Sequence, residues 1–135
     1  MYSMLKKRTY PGYLYMIDHG ATLTWEEWDG ERSQLHNCYN AIGSWFIQAL
    51  AGIVPDASAP GYRHFHVRPQ LVDGIRWAEA SKDTPYGVVS VAWERSGGSF
   101  RLRVEVPVGA HATALLPDGS RVSLASGVHR LACVL

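Results

Sequence analysis

Carboxylates, hydroxyl groups and tryptophans lie close together between residues 18 and 30. The side chains of Asp18 and Glu26 can accept hydrogen bonds from hydroxyl groups or activate a water molecule. Flat aromatic faces, such as those of Trp25 and Trp28, stack on the apolar faces of pyranose rings. This combination is typical of a saccharide site, although a packed aromatic loop with solvated charges would have the same composition.

A second group of potential ligands lies further along the chain. His64 and His66 share one face of a predicted strand and could bind a metal ion as a pair. No third ligand follows at a suitable spacing, so we expect two solvent-exposed histidines and no metal site. Asp56 follows a proline, and we expect it to act in a turn. Cys38 and Cys133 are far apart with no Cys-x-x-Cys pair, which favours two buried free thiols.

Length and charge limit the remaining function classes. The 135 residues suffice for one ordinary domain, or for a small domain with an appendage. A net charge of +1 gives no reason to expect nucleic acid or an anionic membrane as a partner. No apolar run approaches a membrane span, and no apolar stretch follows Lys6 and Lys7 as a signal peptide requires. We therefore expect a cytoplasmic protein.

The elements that position these residues change character near Pro55. Before it, apolar residues recur at helical spacing, and Gly52 is placed to end the helix. A shorter helical piece is expected over residues 2–18, interrupted at Pro11, and residues 20–32 are expected to form a loop. The apolar face of the main helix comprises Ala41, Ile42, Trp45, Phe46, Ala49 and Leu50.

After the connector at residues 54–61 the apolar period becomes two. Gly97-Gly98 and Asp118-Gly119 fit tight turns between alternating runs. Strands are predicted at residues 63–68, 74–81, 86–94, 99–106, 111–116, 121–124 and 128–134. The fold class is therefore α+β, with a helical part over residues 1–53 and an antiparallel β-sandwich over residues 54–135.

The helical part has more large aromatic residues than two or three helices can bury. Trp25, Trp28 and Trp45 need the sandwich or another protein surface to cover them. That mismatch indicates a piece of something larger. The helix face that carries Ile42, Trp45, Phe46 and Leu50 needs a cover too, so we also predict a homo-oligomer through the helical segment.

The ordered motifs resemble one family of glycosidases. The stretch YPGYLYMIDHGATLTWEEWDG contains Gly-Ala-Thr-x-x-Trp-Glu-x-Trp at residues 20–28. His36 precedes Ile-Gly-Ser-Trp at residues 42–45 and Leu-Ala-Gly-Ile at residues 50–53. Arg-His-Phe at residues 63–65 and Thr-Pro-Tyr-Gly at residues 84–87 continue the likeness. This order is similar to the end of the (α/α)6 barrel and the C-terminal sandwich of bacterial α-L-rhamnosidases, glycoside hydrolase family 78.

The resemblance implies roles for individual residues. Glu26 falls on the family's general base, His36 on a histidine that lines the rhamnose pocket, and Trp25 and Trp28 on pocket-wall positions. It implies hydrolysis of terminal α-L-rhamnosides with inversion, a rhamnose-containing saccharide as ligand of the parent enzyme, and no cofactor. The family's general acid has no counterpart here, so we expect the chain to be inactive alone. The alternative is a non-catalytic sandwich that serves folding, interaction or carbohydrate binding.

Overall fold

The structure, a computed structural model, describes residues 1–135 and divides into two compact units, residues 1–45 and residues 46–135. None of its helices combines the length and the hydropathy that a membrane-spanning helix needs.

The first unit contains three short helices. They are α1 (Tyr2–Leu5), α2 (Tyr13–Asp18) and α3 (Ile42–Trp45). Pro11 and Gly12 separate α1 from α2, as predicted, and residues 19–41 are irregular. Met16 and Trp25 are the buried hydrophobic residues of this unit. Because so little apolar surface is buried, backbone pairing and aromatic contacts must hold much of the loop in place.

The predicted continuous helix over residues 41–50 is interrupted. After α3, residues Phe46–Leu50 form a π-helical turn, which the bond from Ala51 N to Phe46 O (2.9 Å) closes. The bonds of a π-helical turn span five residues instead of four, so the regular α-helical spacing does not continue through it. Leu50 is buried whereas Phe46 is 44% exposed. Gly52 ends the segment as predicted, with φ +84°.

The second unit is a β-sandwich of two four-stranded sheets. One sheet has the order β1-β2-β6-β7 and the other β3-β4-β5-β8. All seven predicted strands are present, and the sequence missed only β1 because it has three residues. The bounds are β1 Ile53–Pro55, β2 His64–Val67, β3 Trp77–Thr84, β4 Gly87–Ser96, β5 Ser99–Val106, β6 His111–Leu115, β7 Arg121–Leu124 and β8 Gly127–Val134.

Strand pairing is antiparallel except between β2 and β6. These two strands run parallel, with His64 beside His111 and His66 beside Thr113. The long connection through β3, β4 and β5 makes this possible, since a parallel pair cannot be joined by a tight turn. The turns at Gly97-Gly98 and Asp118-Gly119 lie where the sequence predicted them.

Alternating residues of both sheets form the core. In β5 the buried positions are Phe100, Leu102, Val104 and Val106, while the residues between them face outward. Trp93 packs against Phe100 with ring centroids 5.9 Å apart, and its indole N–H donates to the Leu50 carbonyl at 2.8 Å. This bond ties the π-helical turn to the sandwich.

Candidate functional site

Glu26 and His36 lie on two short loop segments that backbone hydrogen bonds hold together. Glu26 N donates to Ser33 O at 2.8 Å, and His36 N donates to Thr24 O at 2.9 Å. The Thr24 hydroxyl also contacts the His36 carbonyl and lies 2.8 Å from Asn40 Oδ1. The pairing therefore brings two residues that are ten positions apart into the same narrow loop.

The Glu26 carboxylate is accessible. Its side chain is 33% exposed, and Arg32 Nη1 lies 3.9 Å from Glu26 Oε1. Arg32 makes the shorter contact with Glu27, from Nε to Oε1 at 2.9 Å. The guanidinium thus belongs mainly to Glu27, and the Glu26 oxygens keep room to accept a hydrogen bond from water.

The His36 ring has a defined orientation. The Cys38 backbone N–H donates to His36 Nδ1 at 3.2 Å, and Cys38 Sγ lies 2.7 Å from the same nitrogen. Because Nδ1 accepts a hydrogen bond, the neutral ring must carry its proton on Nε2. The ring can therefore present an N–H donor to a hydroxyl group.

The two tryptophans occupy different environments. Trp25 is 4% exposed and lies under Gly30, where an added Cβ would be 2.8 Å from the ring. Trp28 is half-buried and stacks on Tyr39 with centroids 4.2 Å apart. The edge of the Tyr13 ring also meets Trp28, at 5.2 Å. Trp25 therefore packs inside the loop, and Trp28 belongs to an aromatic cluster.

Tyr13 and Tyr39 were not singled out from the sequence. The Tyr13 hydroxyl donates to the Tyr39 carbonyl at 3.0 Å. Burial raises the pKa of the Tyr13 hydroxyl. It is also the largest of several causes that raise the pKa of Tyr39. Their separation in sequence left no periodic signal, so only the folded loop reveals the cluster. Asp18, the other carboxylate named above, ends α2 and forms an ion pair with Arg8.

The expectation of two solvent-exposed histidines in the sandwich was wrong, because His64 and His66 are both half-buried. Asp56 Oδ2 lies 2.6 Å from His64 Nδ1 and 3.6 Å from His66 Nε2, and the His64 side chain is only 17% exposed. Asp56 also forms the predicted turn, accepting hydrogen bonds from the Ser58 amide and hydroxyl. Bonds from Ser58 and His64 hold the pKa of Asp56 well below its usual range. A third potential ligand therefore comes from the loop before the strand.

The expectation of two buried thiols was also wrong. Cys38 is exposed and Cys133 is half-buried, and neither forms a disulfide. Cys38 lies in the irregular loop, where no core exists to cover it. Cys133 lies near the end of β8, an edge strand of its sheet.

Both parts of the chain match domains of one family. Residues 52–130 match the bacterial alpha-L-rhamnosidase C-terminal domain, and residues 1–50 match the bacterial alpha-L-rhamnosidase 6 hairpin glycosidase domain. An Alteromonas α-L-rhamnosidase is 34% identical over 128 residues, covering 87% of this chain and 14% of the relative. One from Streptomyces avermitilis is 32% identical over 127 residues, covering 86% of this chain and 12% of the relative. The chain thus spans about one seventh of the length of these curated relatives.

Solved structures agree with these matches. The crystal structure of α-L-rhamnosidase from Aspergillus terreus superposes with a TM-score of 0.88 at 33% identity, covering 99% of this chain and 17% of the solved one. The Streptomyces avermitilis enzyme, solved with L-rhamnose, superposes with a TM-score of 0.89 at 29% identity, covering 98% of this chain and 16% of the solved one. The chain therefore belongs to the bacterial α-L-rhamnosidase family and corresponds to the C-terminal part of its members.

Proposed function

We propose that this chain is the C-terminal part of an inverting α-L-rhamnosidase, in which Glu26 is the general base. The accessible Glu26 carboxylate, on a loop held by backbone pairing, is the observation that carries the proposal. A base of this kind deprotonates the water that attacks from the face opposite the leaving group. His36, with its donor at Nε2, would bind a rhamnose hydroxyl beside it.

We further propose that residues 1–135 alone do not hydrolyse rhamnosides at an enzymatic rate. A general base typically contributes about 10²–10⁴-fold, well short of glycosidase accelerations. Inversion also needs a second carboxyl group roughly 6.5–9.5 Å from the base, which protonates the leaving oxygen. Glu27 is engaged by Arg32, and Asp29 accepts a bond from the Glu31 amide. None of these acids matches the family's general acid in sequence.

The test compares the chain alone with a chimera that supplies the upstream barrel. The barrel of the Alteromonas relative would be joined to residues 1–135, and hydrolysis of an activated aryl α-L-rhamnoside measured in both. We expect no turnover by the chain alone and turnover by the chimera. In the chimera, Glu26→Gln should lower kcat by about 10²–10⁴-fold, whereas the adjacent Glu27→Gln is the matched control and should have little effect.

Each part of the proposal can fail separately. Turnover by the chain alone that disappears in Glu26→Gln would overturn the claim of inactivity. Undiminished kcat in the Glu26→Gln chimera would overturn the role of base. Proton NMR of the first sugar released would reveal the anomer, and retention of configuration would contradict inversion.

A second candidate function is non-catalytic saccharide binding by the sandwich. The outer face of the β3-β4-β5-β8 sheet has a depression of about 520 Å³, beside which Trp77 is 69% exposed. Arg101 and Arg103 line the same depression and offer donors next to a flat aromatic ring. Calorimetric titration of L-rhamnose into the full chain tests this function. Binding unchanged in Trp77→Ala would rule out this face.

A further inference from the structure

We propose that Asp56, His64 and His66 form a binding site for a divalent transition-metal ion, with Zn²⁺ the best fit. One ligand atom from each residue lies within 4.8 Å of the other two. The site lies in the sandwich, on the exposed side of the β1-β2-β6-β7 sheet and the loop that follows β1. All three ligands belong to the unit of residues 46–135, whereas Glu26 belongs to residues 1–45.

The ligand atoms need only small movements to reach coordinating distances. Zn²⁺ binds imidazole nitrogen and carboxylate oxygen at about 2.0–2.2 Å, so two ligands of a tetrahedral ion are about 3.4 Å apart. Asp56 Oδ2 is 3.6 Å from His66 Nε2 and 2.6 Å from His64 Nδ1. The second distance would lengthen by less than about 1 Å as the ion replaces the hydrogen bond. The His64 and His66 nitrogens lie within 4.8 Å of each other, so they must approach by up to about 1.4 Å to reach the same spacing.

Neighbouring groups orient the ligands as metal sites require. His64 Nε2 lies 3.0 Å from Thr113 Oγ1, so with Nδ1 on the metal, Nε2–H can donate to that hydroxyl. Ser58 holds the other Asp56 oxygen, Oδ1, with its amide at 2.8 Å and its hydroxyl at 2.7 Å. The His111 ring stacks on His64 with centroids 4.7 Å apart. Two of the three ligands are thus held before the ion arrives.

The donor set decides the class of ion. Two neutral imidazoles and one carboxylate suit Zn²⁺, Co²⁺ or Ni²⁺, whereas Ca²⁺ and Mg²⁺ take mainly oxygen ligands. His66 and Thr113 also line a depression of about 300 Å³, which leaves room for water as a fourth ligand. Three protein ligands and one exchangeable position is a common zinc arrangement.

Cobalt titration of the full chain tests the site directly. Co²⁺ in a tetrahedral site gives visible absorbance, and Zn²⁺ should displace it at one ion per chain. His66→Ala and Asp56→Ala should each weaken Co²⁺ binding at least about 100-fold, since each removes a direct ligand. Thr113→Val, which removes only the partner of His64 Nε2, should weaken it about 10–100-fold.

Two control variants separate this site from other donors. His129→Ala removes a histidine of β8 whose Nε2 contacts the Ala125 carbonyl, and it should leave binding unchanged. Cys38 and His36 are a second pair of side chains that could hold a soft metal ion. Cys38→Ser removes the thiol of that pair and should also leave Co²⁺ binding unchanged. Circular dichroism checks that each variant is folded, and His66→Gln replaces His66→Ala if the latter unfolds. Absence of one-to-one binding in the wild type, or binding lost in Cys38→Ser and kept in His66→Ala, would overturn the proposal.

Discussion

Gly52 is the residue at which a single methyl group should most clearly test the structure. It lies at the junction between the π-helical turn and β1, with φ +84°, and is buried. A Cβ added there would be 2.4 Å from Pro69 N and 2.5 Å from the carbonyl carbon of Arg68. Its own carbonyl accepts a hydrogen bond from Arg68 N at 2.9 Å. Gly52→Ala therefore combines a strained backbone with a clash against a chain segment that is already bonded to it.

Gly119→Ala is the matched control for the backbone component. Gly119 has φ +87°, nearly the same as Gly52, but an added Cβ would meet nothing within 4 Å. The left-handed conformation should cost either variant about 1–2 kcal/mol. The clash should add about 1–3 kcal/mol in Gly52→Ala alone, as overpacking does elsewhere. We therefore expect Gly52→Ala to be less stable than Gly119→Ala by about 1–3 kcal/mol.

Guanidinium unfolding followed by the β-sheet circular dichroism signal measures this difference. Equal m-values in the two variants would show that both report the same transition. If the variants lose the same stability, the close approach of residues 52 and 68–69 does not exist as described. If Gly119→Ala loses nothing, the argument from positive φ fails instead.

Three further predictions concern the two units and their charges. Residues 46–135 should fold alone. Residues 56–135 lack β1 and its fully buried Ile53, so this shorter piece should be less stable by about 1.5–3 kcal/mol. Equal thermal stability of the two pieces would contradict this. We also propose that the chain self-associates through its helical segment, where Ile17 is 60% exposed. Sedimentation should show an oligomer that Ile17→Asp weakens. A monomer at high micromolar concentration would refute the proposal. Hydrogen bonds from Ser120 lower the pKa of Asp118 from its ordinary value of 3.8. The ionised carboxylate therefore stabilises the folded chain fully above pH 3.8, and this contribution is lost as the pH falls through the lowered pKa. Ser120→Ala should raise the pKa of Asp118 toward 3.8 in an NMR titration, and an unchanged pKa would contradict the assignment.

The sandwich was predictable because its strands are determined by local alternation. In β5, Phe100, Leu102 and Val104 are buried and the residues between them are not, so the two-residue period identifies strand and face together. The parallel pairing of β2 and β6 was not predictable in the same way. It joins segments more than 40 residues apart, and no turn connects them. Local patterns determine elements, whereas long-range pairing depends on the packing of the whole sheet.

The metal-ligand cluster shows the same limit at the scale of a site. His64 and His66 were visible as a pair because residues two apart share a strand face. Asp56 was assigned to a turn, which is correct, but its second oxygen meets both histidines across the connector. Nothing in the spacing of eight and ten residues indicates this contact. It depends on the path of residues 56–63, a connector that contains a short 3-10 helix (Pro60–Tyr62) and has no repeating sequence pattern.

The loop that carries Glu26 has a different source of order from the sandwich. In residues 46–135, positions follow from burial, and a methyl group added at Gly52 has no room. In residues 1–45, only Met16 and Trp25 are buried hydrophobic residues. The Glu26 loop is held by backbone bonds from Glu26 to Ser33 and from His36 to Thr24. Such bonds contribute about 0.5–1.5 kcal/mol each, so this loop should open more readily than the sandwich. The geometry of the proposed base therefore depends on whatever covers the exposed side of this segment, and that dependence is the physical reason to expect activity only in the presence of the rest of the barrel.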